Sequence, residues 1–378
     1  VSEIETIPVA DLGCFSSDYG RARQAFLAAA EQAGATLSSY AHPLPGPQTE
    51  VLATDVAWLG ASDAPTVLVL LSATHGVEGF CGSAVQVDFL NHFKPLPEGV
   101  AVLLVHAINP YGFAWLRRVT EDGVDLNRNY LDFAHLLPLN EGYDALADAI
   151  VPASLDDETL RECDAKLAAY LDQHGREAYE RALSGGQYDY PDGLFYGGSG
   201  PTWSRLTSER IIAAFQLSQR QRVALIDLHT GIGPFGYGEA ICDHPPGSAG
   251  VAIARHWYGD RLTEPALGTS VSVAKHGLSD YGWMHLIGEP LVFIALEFGT
   301  YPFENMMKVL RADHWLHAQG NVDWQAAQSR AIKAAIRNHF YPATPEWQEM
   351  VLMRSRHCIR QAIEGLQEAD RDDGLSRP

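Results

Sequence analysis

The sequence predicts an α/β protein, a three-layer α/β/α sandwich around a mixed, largely parallel central sheet. Two observations carry this. Short runs of apolar residues recur at 66–71, 100–108, 222–228 and 291–296, and each reads as a strand buried on both faces. Segments with helical periodicity lie between them, and strands alternating with helices build parallel sheets covered on two sides.

In chain order, residues 17–34 place Ala22, Phe26, Ala29 and Ala30 on one side of a helix that Gly34 stops. Alternating segments at 35–40 and 51–59 flank the turn-rich PLPGPQ and are expected as strands. The buried strand 66–71 is followed by a helix over about 82–93, and 100–108 closes at Asn109-Pro110. Residues 114–129 are polar, Arg-rich and expected as loop, and 133–183 hold two or three acidic amphipathic helices inserted on the rim. A Gly/Tyr/Pro-rich loop (185–201) precedes a helix at 204–217. Strand 222–228 runs straight into His229; a strand at 239–242, a helix at 250–258 and a strand at 291–296, ending on Glu297, follow. From Phe303 the pattern is helical to about Ala369, broken near Tyr341-Pro342 and Thr344-Pro345. The expected organisation is one domain over 1–378, with a catalytic core at about 45–320, the insertion at about 133–201 and C-terminal helices at about 321–371.

A chain of 378 residues can bury a large core. Acidic residues outnumber basic ones 47 to 27, a formal charge of -20 that disfavours nucleic acid or an anionic membrane as partner. The five cysteines are scattered without a Cys-x-x-Cys pair, so buried free thiols in a reducing cytosol are the preferred reading. The first residues, VSEIETIPVADLG, contain no basic region followed by an apolar core, and no apolar run approaches a membrane span. The expected location is cytoplasmic; oligomeric state is not legible.

The chemistry gathers at strand ends, where open α/β sheets keep their sites. His75 and Glu78 sit three apart in a glycine-flanked turn after the first buried strand. His229 ends the third and Glu297 the last. Two imidazoles and one carboxylate with a position left open form the ligand set of a catalytic zinc. A separate carboxylate must then move the water's proton to the leaving amine, and Glu297 suits that task. Asp227, two residues before His229 on one strand, could orient its imidazole. In the stretch 117–129, RRVTEDGVDLNRN, an Asn-Arg pair can clamp a carboxylate, and a further Arg near the metal can stabilise an oxyanion.

NPYGF at 109–113, Arg118 nine residues before Asn127, and GVDLNRN at 123–129 resemble the zinc carboxypeptidase A-like metallopeptidases. The motif order matches over roughly 66–299. The resemblance implies one Zn2+ per chain on His75, Glu78 and His229, with Glu297 as general base. It implies Arg118 as the oxyanion arginine, Arg117 being the alternative, and Asn127 with Arg128 as the substrate-carboxylate clamp. Tyr281, in GLSDYGW, is the nearest candidate for the mobile loop tyrosine that this family sets against substrate. DLHT at 227–230 and EFG at 297–299 look more like the aspartoacylase and succinylglutamate desuccinylase branch, so the chain resembles a side branch of the superfamily. Amide cleavage beside a free carboxylate follows, on a small peptide or, alternatively, an acylated amino acid.

The structural alternatives are a turn histidine at 75, a core histidine at 229 and a surface charge at 118, within an inactive ligand-binding module. His106, His244, His276 and His285 lack partners at ligand spacing and read as structural or surface residues. GGSGP at 197–201 is not a nucleophile elbow, because Pro201 fills the last place. No phosphate loop or dinucleotide fingerprint follows a strand.

Overall fold

The computed structural model describes residues 11–320 and 322–374. Its centre is one seven-stranded sheet. The strands are β1 (Thr36–Ala41), β2 (Ala53–Leu59), β3 (Thr66–Ser72), β4 (Val100–His106), β5 (Arg222–Thr230), β6 (Gly238–Ile241) and β7 (Leu291–Phe298). They lie in the order β1-β2-β4-β3-β5-β7-β6. The four central strands β4, β3, β5 and β7 run parallel, and the pairings β1–β2, β2–β4 and β6–β7 are antiparallel. The sheet is therefore mixed with a parallel centre, as expected.

Period-two geometry divides each central strand between two cores. Leu68, Leu70, Val102, Leu104, Ala224 and Ile226 face one apolar cluster, and Val67, Val69, Leu103, Val105, Val223 and Leu225 face the other. The first cluster is closed by helices Tyr19–Gln32, Gly79–Asn91, Ala249–Tyr258 and Pro345–Gly374. The second is closed by Trp203–Ala214 and Ser279–Ile287. Each fully buried aliphatic side chain contributes roughly 1.5–3 kcal/mol, which is why strands this short hold the centre.

A third cluster lies beside the strand ends. Tyr143, Leu146, Ile150 and Leu183 from the 141–184 helices pack with Met306, Leu310, Ile336 and Phe340. Those last four belong to helices Phe303–Ala318 and Ala327–Phe340.

Three elements differ from expectation. The helical run after Phe303 is interrupted between Ala318 and Ala327 as well as near Tyr341. Ser279–Ile287, the stretch that holds the candidate loop tyrosine Tyr281 and to which the sequence pattern assigns no element, is a nine-residue helix. It is short and contains Gly282, so periodicity is weak; it is held by burying Trp283 and Ile287 in the second cluster. The helix after β3 also starts at Gly79 rather than near 82, directly behind the turn that carries Glu78.

Candidate active site

β3 and β4 are each followed by a left-handed residue that is not glycine, Ala73 (φ 60) and Ala107 (φ 61). Such backbone is disfavoured for a Cβ-bearing residue and persists where surrounding contacts fix it. Here Ser72 Oγ accepts from Ala107 N at 3.0 Å, and Ile108 N donates to Ser72 O at 3.0 Å. The turn after Ala73 carries His75, Gly76, Val77 and Glu78. Gly76 lies against the backbone of Gly112: a Cβ at Gly76 would meet Gly112 C at 2.1 Å. That approach lets Gly76 N and Val77 N donate to Arg118 O and Arg117 O at 3.1 and 2.8 Å. NPYGF and the arginine segment are thereby tied to the His-x-x-Glu turn.

Parallel pairing of β3 with β5 then brings His229 to the same edge. His75 Nδ1 lies 2.9 Å from Glu78 Oε1, and His229 Nδ1 lies 3.2 Å from both Glu78 Oε2 and His75 Nδ1. One ligand atom from each of the three buried residues falls within 4.8 Å of the others, close enough to hold a single ion. Thr230 N donates to Glu78 Oε2 at 3.0 Å and fixes the carboxylate. Burial alone would raise the Glu78 carboxyl, but the two facing imidazoles hold it well below the usual range.

The far side of each ring is backed by a buried acid. His229 Nε2 lies 2.8 Å from Asp227 Oδ2, and Asp227 also accepts from Thr74 Oγ1 at 2.8 and 3.0 Å. His75 Nε2 lies 3.2 Å from Asp125 Oδ1. With Nε2–H donated to these acids, both Nδ1 lone pairs face Glu78, the tautomer a metal requires. His75 has a second option, because an Arg118 guanidinium nitrogen lies 2.8 Å from its Nε2. Accepting there would put the ring proton on Nδ1, so a cation on Nδ1 selects the Asp125 partner. Burial opposes charge on His229, yet Asp227 and Glu78 carry its pKa well above the ordinary value. The donor types, their convergence and their backing acids fit a zinc ion.

Glu297 pairs with His229 across the β5–β7 register, and its Oε1 accepts from Ile232 N at 3.2 Å. Burial and the charge on Glu78 push its pKa up to about 7, against the pull of His229. His75, Glu78, His229, Glu297, Arg118, Asn127 and Arg128 all line one cavity of about 220 Å3. Arg118 donates to Glu78 Oε1 at 3.2 Å and Asp125 Oδ2 at 3.1 Å. Arg117 turns away and pairs with buried Asp313 at 3.1 Å, so of the two arginines it is Arg118 that reaches the cavity. Asn127 Oδ1 accepts from Ser279 N at 2.7 Å. The Arg128 guanidinium donates to the carbonyls of Ser184 (3.2 and 2.6 Å) and Asn127 (2.6 Å) and lies over the Phe195 ring.

Tyr281 is not brought to this cavity. It sits on the helix Ser279–Ile287, is 42% exposed, and lines a separate depression with Tyr130, Phe133 and Arg205. The expectation of a loop tyrosine fails because helix burial of Trp283 points residue 281 elsewhere. The aromatic rings at the cavity belong to Phe195, Tyr301 and Phe303. Asp125, Asp243 and Lys275 went unnoticed in the sequence. Asp125 was legible inside GVDLNRN, two places before Asn127; the other two lie in stretches without a motif. His106 and His244 are buried, bonded to Ser83 Oγ (2.9 Å) and Phe293 N (2.9 Å), and burial lowers both to about 4.

Fold and site together describe an α/β protein with a convergent His-Glu-His cluster at the carboxyl edge of a mixed sheet. The chain belongs to the family described as "Protein of unknown function (DUF2817)", whose model matches residues 15–354. No curated protein matches it in sequence. Among solved structures it is similar to carboxypeptidase A from Helicoverpa armigera, at 13% identity over 93% of this chain and 74% of that one, TM-score 0.49. It is also similar to an aspartoacylase family protein from Mesorhizobium loti, at 15% identity over 77% and 69%, TM-score 0.37. A third is the succinylglutamate desuccinylase from Chromobacterium violaceum, at 15% identity over 84% and 74%, TM-score 0.35. No helix among the described residues is long and apolar enough to cross a membrane.

Proposed function

We propose that the protein is a zinc-dependent hydrolase that cleaves an amide bond beside a free carboxylate, as a carboxypeptidase-type peptidase. The observation that supports this most is the convergence of His75, Glu78 and His229, each ring backed by an acid, beneath the same cavity that Glu297 lines. A zinc ion held by these three residues would supply Lewis acidity toward the scissile carbonyl and the attacking water.

The chain's own groups do the remaining work. Asn127 and Arg128 hold the substrate carboxylate and so fix which amide is presented. Arg118 offers guanidinium N–H groups to the oxygen that gains charge during attack. Glu297, with a pKa near neutrality, accepts the proton from water and delivers it to the departing amine. Asp125 and Asp227 keep the ligand tautomers. A cavity of about 220 Å3 suits short substrates, which keeps deacylation of N-acyl amino acids as the second reading. Five free cysteines, four of them buried, support a reducing, cytoplasmic location.

Elemental analysis of the purified protein and of His75→Ala and His229→Ala tests the ion. Parallel assays on short peptides and N-acyl amino acids test the reaction. About one zinc per wild-type chain, lost in both variants, is expected; a wild-type protein with no zinc affinity sinks the proposal. Turnover of acyl substrates alone would replace peptidase by deacylase.

A further inference from the structure

We infer that the wall of this cavity beyond Glu297 accepts a substrate side chain ending in both an ammonium and a carboxylate. The inference rests on the hydrolase reading for the placement of the α-carboxylate, and it comes from charges that the reading leaves unused.

Asp243, just after β6, and Lys275, before the helix Ser279–Ile287, both line the cavity. Lys275 Nζ is anchored by Ser272 Oγ and by Val273 O at 3.1 Å. Among the described residues neither Lys275 nor Asp243 makes an ion pair within 4.0 Å, and Arg128 makes none either. Opposite charges free to meet in a partly buried site gain by closing into contact. These two line one cavity and feel each other's charge without forming an ion pair. Burial brings Lys275 down to about 8, with Arg128 adding to the effect, and raises Asp243; both charges are short of solvation.

The other charges at the cavity are accounted for. Arg118 is bonded to Glu78 and Asp125, Glu180 to Arg176, and Glu297 is taken up by the hydrolase reading as its base. Two cations and one anion remain without an ion-pair partner among the described residues: Arg128, Lys275 and Asp243. A ligand with two carboxylates and one ammonium compensates all three. With the α-carboxylate on Asn127 and Arg128, Lys275 takes the second carboxylate and Asp243 the ammonium. Ile241, Val271, Leu278 and Ala295 line the same cavity and suit an aliphatic stem. A lysine side chain would leave Lys275 without a carboxylate, a glutamate would leave Asp243 without an ammonium, and a leucine would leave both charges uncompensated. Discrimination then comes from the charge each competitor leaves unpaired.

The test is calorimetric titration of the purified full chain with meso-2,6-diaminopimelate, lysine, glutamate and leucine as free amino acids. The diamino diacid is expected to bind at least about tenfold tighter than each of the other three. Lys275→Met should erase its advantage over lysine, and Asp243→Asn its advantage over glutamate. Equal or tighter binding of any of the three overturns the inference, as does a folded variant that keeps the full ranking. If a variant does not fold, the wild-type ranking decides. Hydrolysis of the corresponding peptidyl and N-acyl derivatives is read separately. No turnover with the ranking intact removes the reaction and leaves the pocket; turnover with a flat ranking does the reverse.

Discussion

Replacing Asp227 by Asn tests the site at the point where its geometry is most specific. Asp227 Oδ2 lies 2.8 Å from His229 Nε2, and the same carboxylate is fixed by Thr74 Oγ1 at 2.8 and 3.0 Å. The carboxylate is acceptor-only, so the imidazole proton stays on Nε2 and Nδ1 presents its lone pair toward Glu78 and His75. A carboxamide can turn its NH2 toward Nε2, which favours a proton on Nδ1 and removes the donor from the cluster. Loss of a backing acid of this kind costs about 10–100-fold in metal affinity, or roughly 1.4–2.8 kcal/mol. The residue is wholly buried, so a folding effect must be separated from a metal effect. Zinc affinity is therefore read by competition with a chromophoric chelator, on protein whose unfolding transition has been measured without metal. Thr74→Val keeps the acid and removes one hydrogen bond to it, and an intermediate loss is expected. An Asp227→Asn protein that folds and binds zinc like the parent would refute the backing-acid argument and weaken the metal assignment with it.

Glu297→Gln should retain zinc and lose turnover by about 10²–10⁴-fold, measured as kcat on whichever amide substrate is accepted. In the metal-free protein the Glu297 pKa is raised from 4.5 to about 7, so its ionisation opposes folding. Its share of stability is complete below about 4.5, and is lost as pH rises through about 7. Melting temperatures at pH 5 and pH 8 should therefore differ less in Glu297→Gln than in the parent. Gly76→Ala places a Cβ 2.1 Å from Gly112 C; overpacking of this kind costs about 1–3 kcal/mol or more, seen as a lower denaturant midpoint with lost zinc affinity. Asp313→Ala leaves Arg117 and Lys333 buried without their shared carboxylate, and about 3–5 kcal/mol of stability should go in chemical denaturation. Tyr281→Phe should leave KM and kcat near the parent's, since its hydroxyl is outside the cavity.

How much of this could be read beforehand depends on the kind of signal. The four central strands announce themselves, because burial on both faces leaves uninterrupted apolar runs such as TVLVLLS. His75, Glu78, His229 and Glu297 were legible because each stands at the end of such a run, where a polar residue needs a reason. Arg118, Asn127 and Arg128 came from a motif. The helix Ser279–Ile287 was missed because tertiary burial, rather than periodicity, holds it. Tyr281 was misplaced with it. Asp243 and Lys275 lie in irregular chain on either side of the helix Ala249–Tyr258, 32 positions apart, and only folding shows that they share a wall. The pairing of Arg117 with Asp313 spans 196 positions and is equally silent in one dimension.

The strand order also explains why so little sequence is needed to build the site. β3 and β5 are adjacent and parallel, so both deliver their C-terminal residues to one edge, and β7 joins them on the far side of β5. The register sets His229 opposite Glu297, with Ala295 and Glu297 two apart and both lining the cavity. A slip of one residue in β7 would turn Glu297 to the opposite face and expose Leu296 to the cavity. Nothing in the hydrogen bonds of a parallel ladder forbids that slip. What forbids it is the alternation that packs Leu296 and Ile294 into one core and Phe293 into the other. The apolar residues of β7 thus decide where Glu297 stands, and mutations that blur their alternation should cost the proposed activity before they cost the fold.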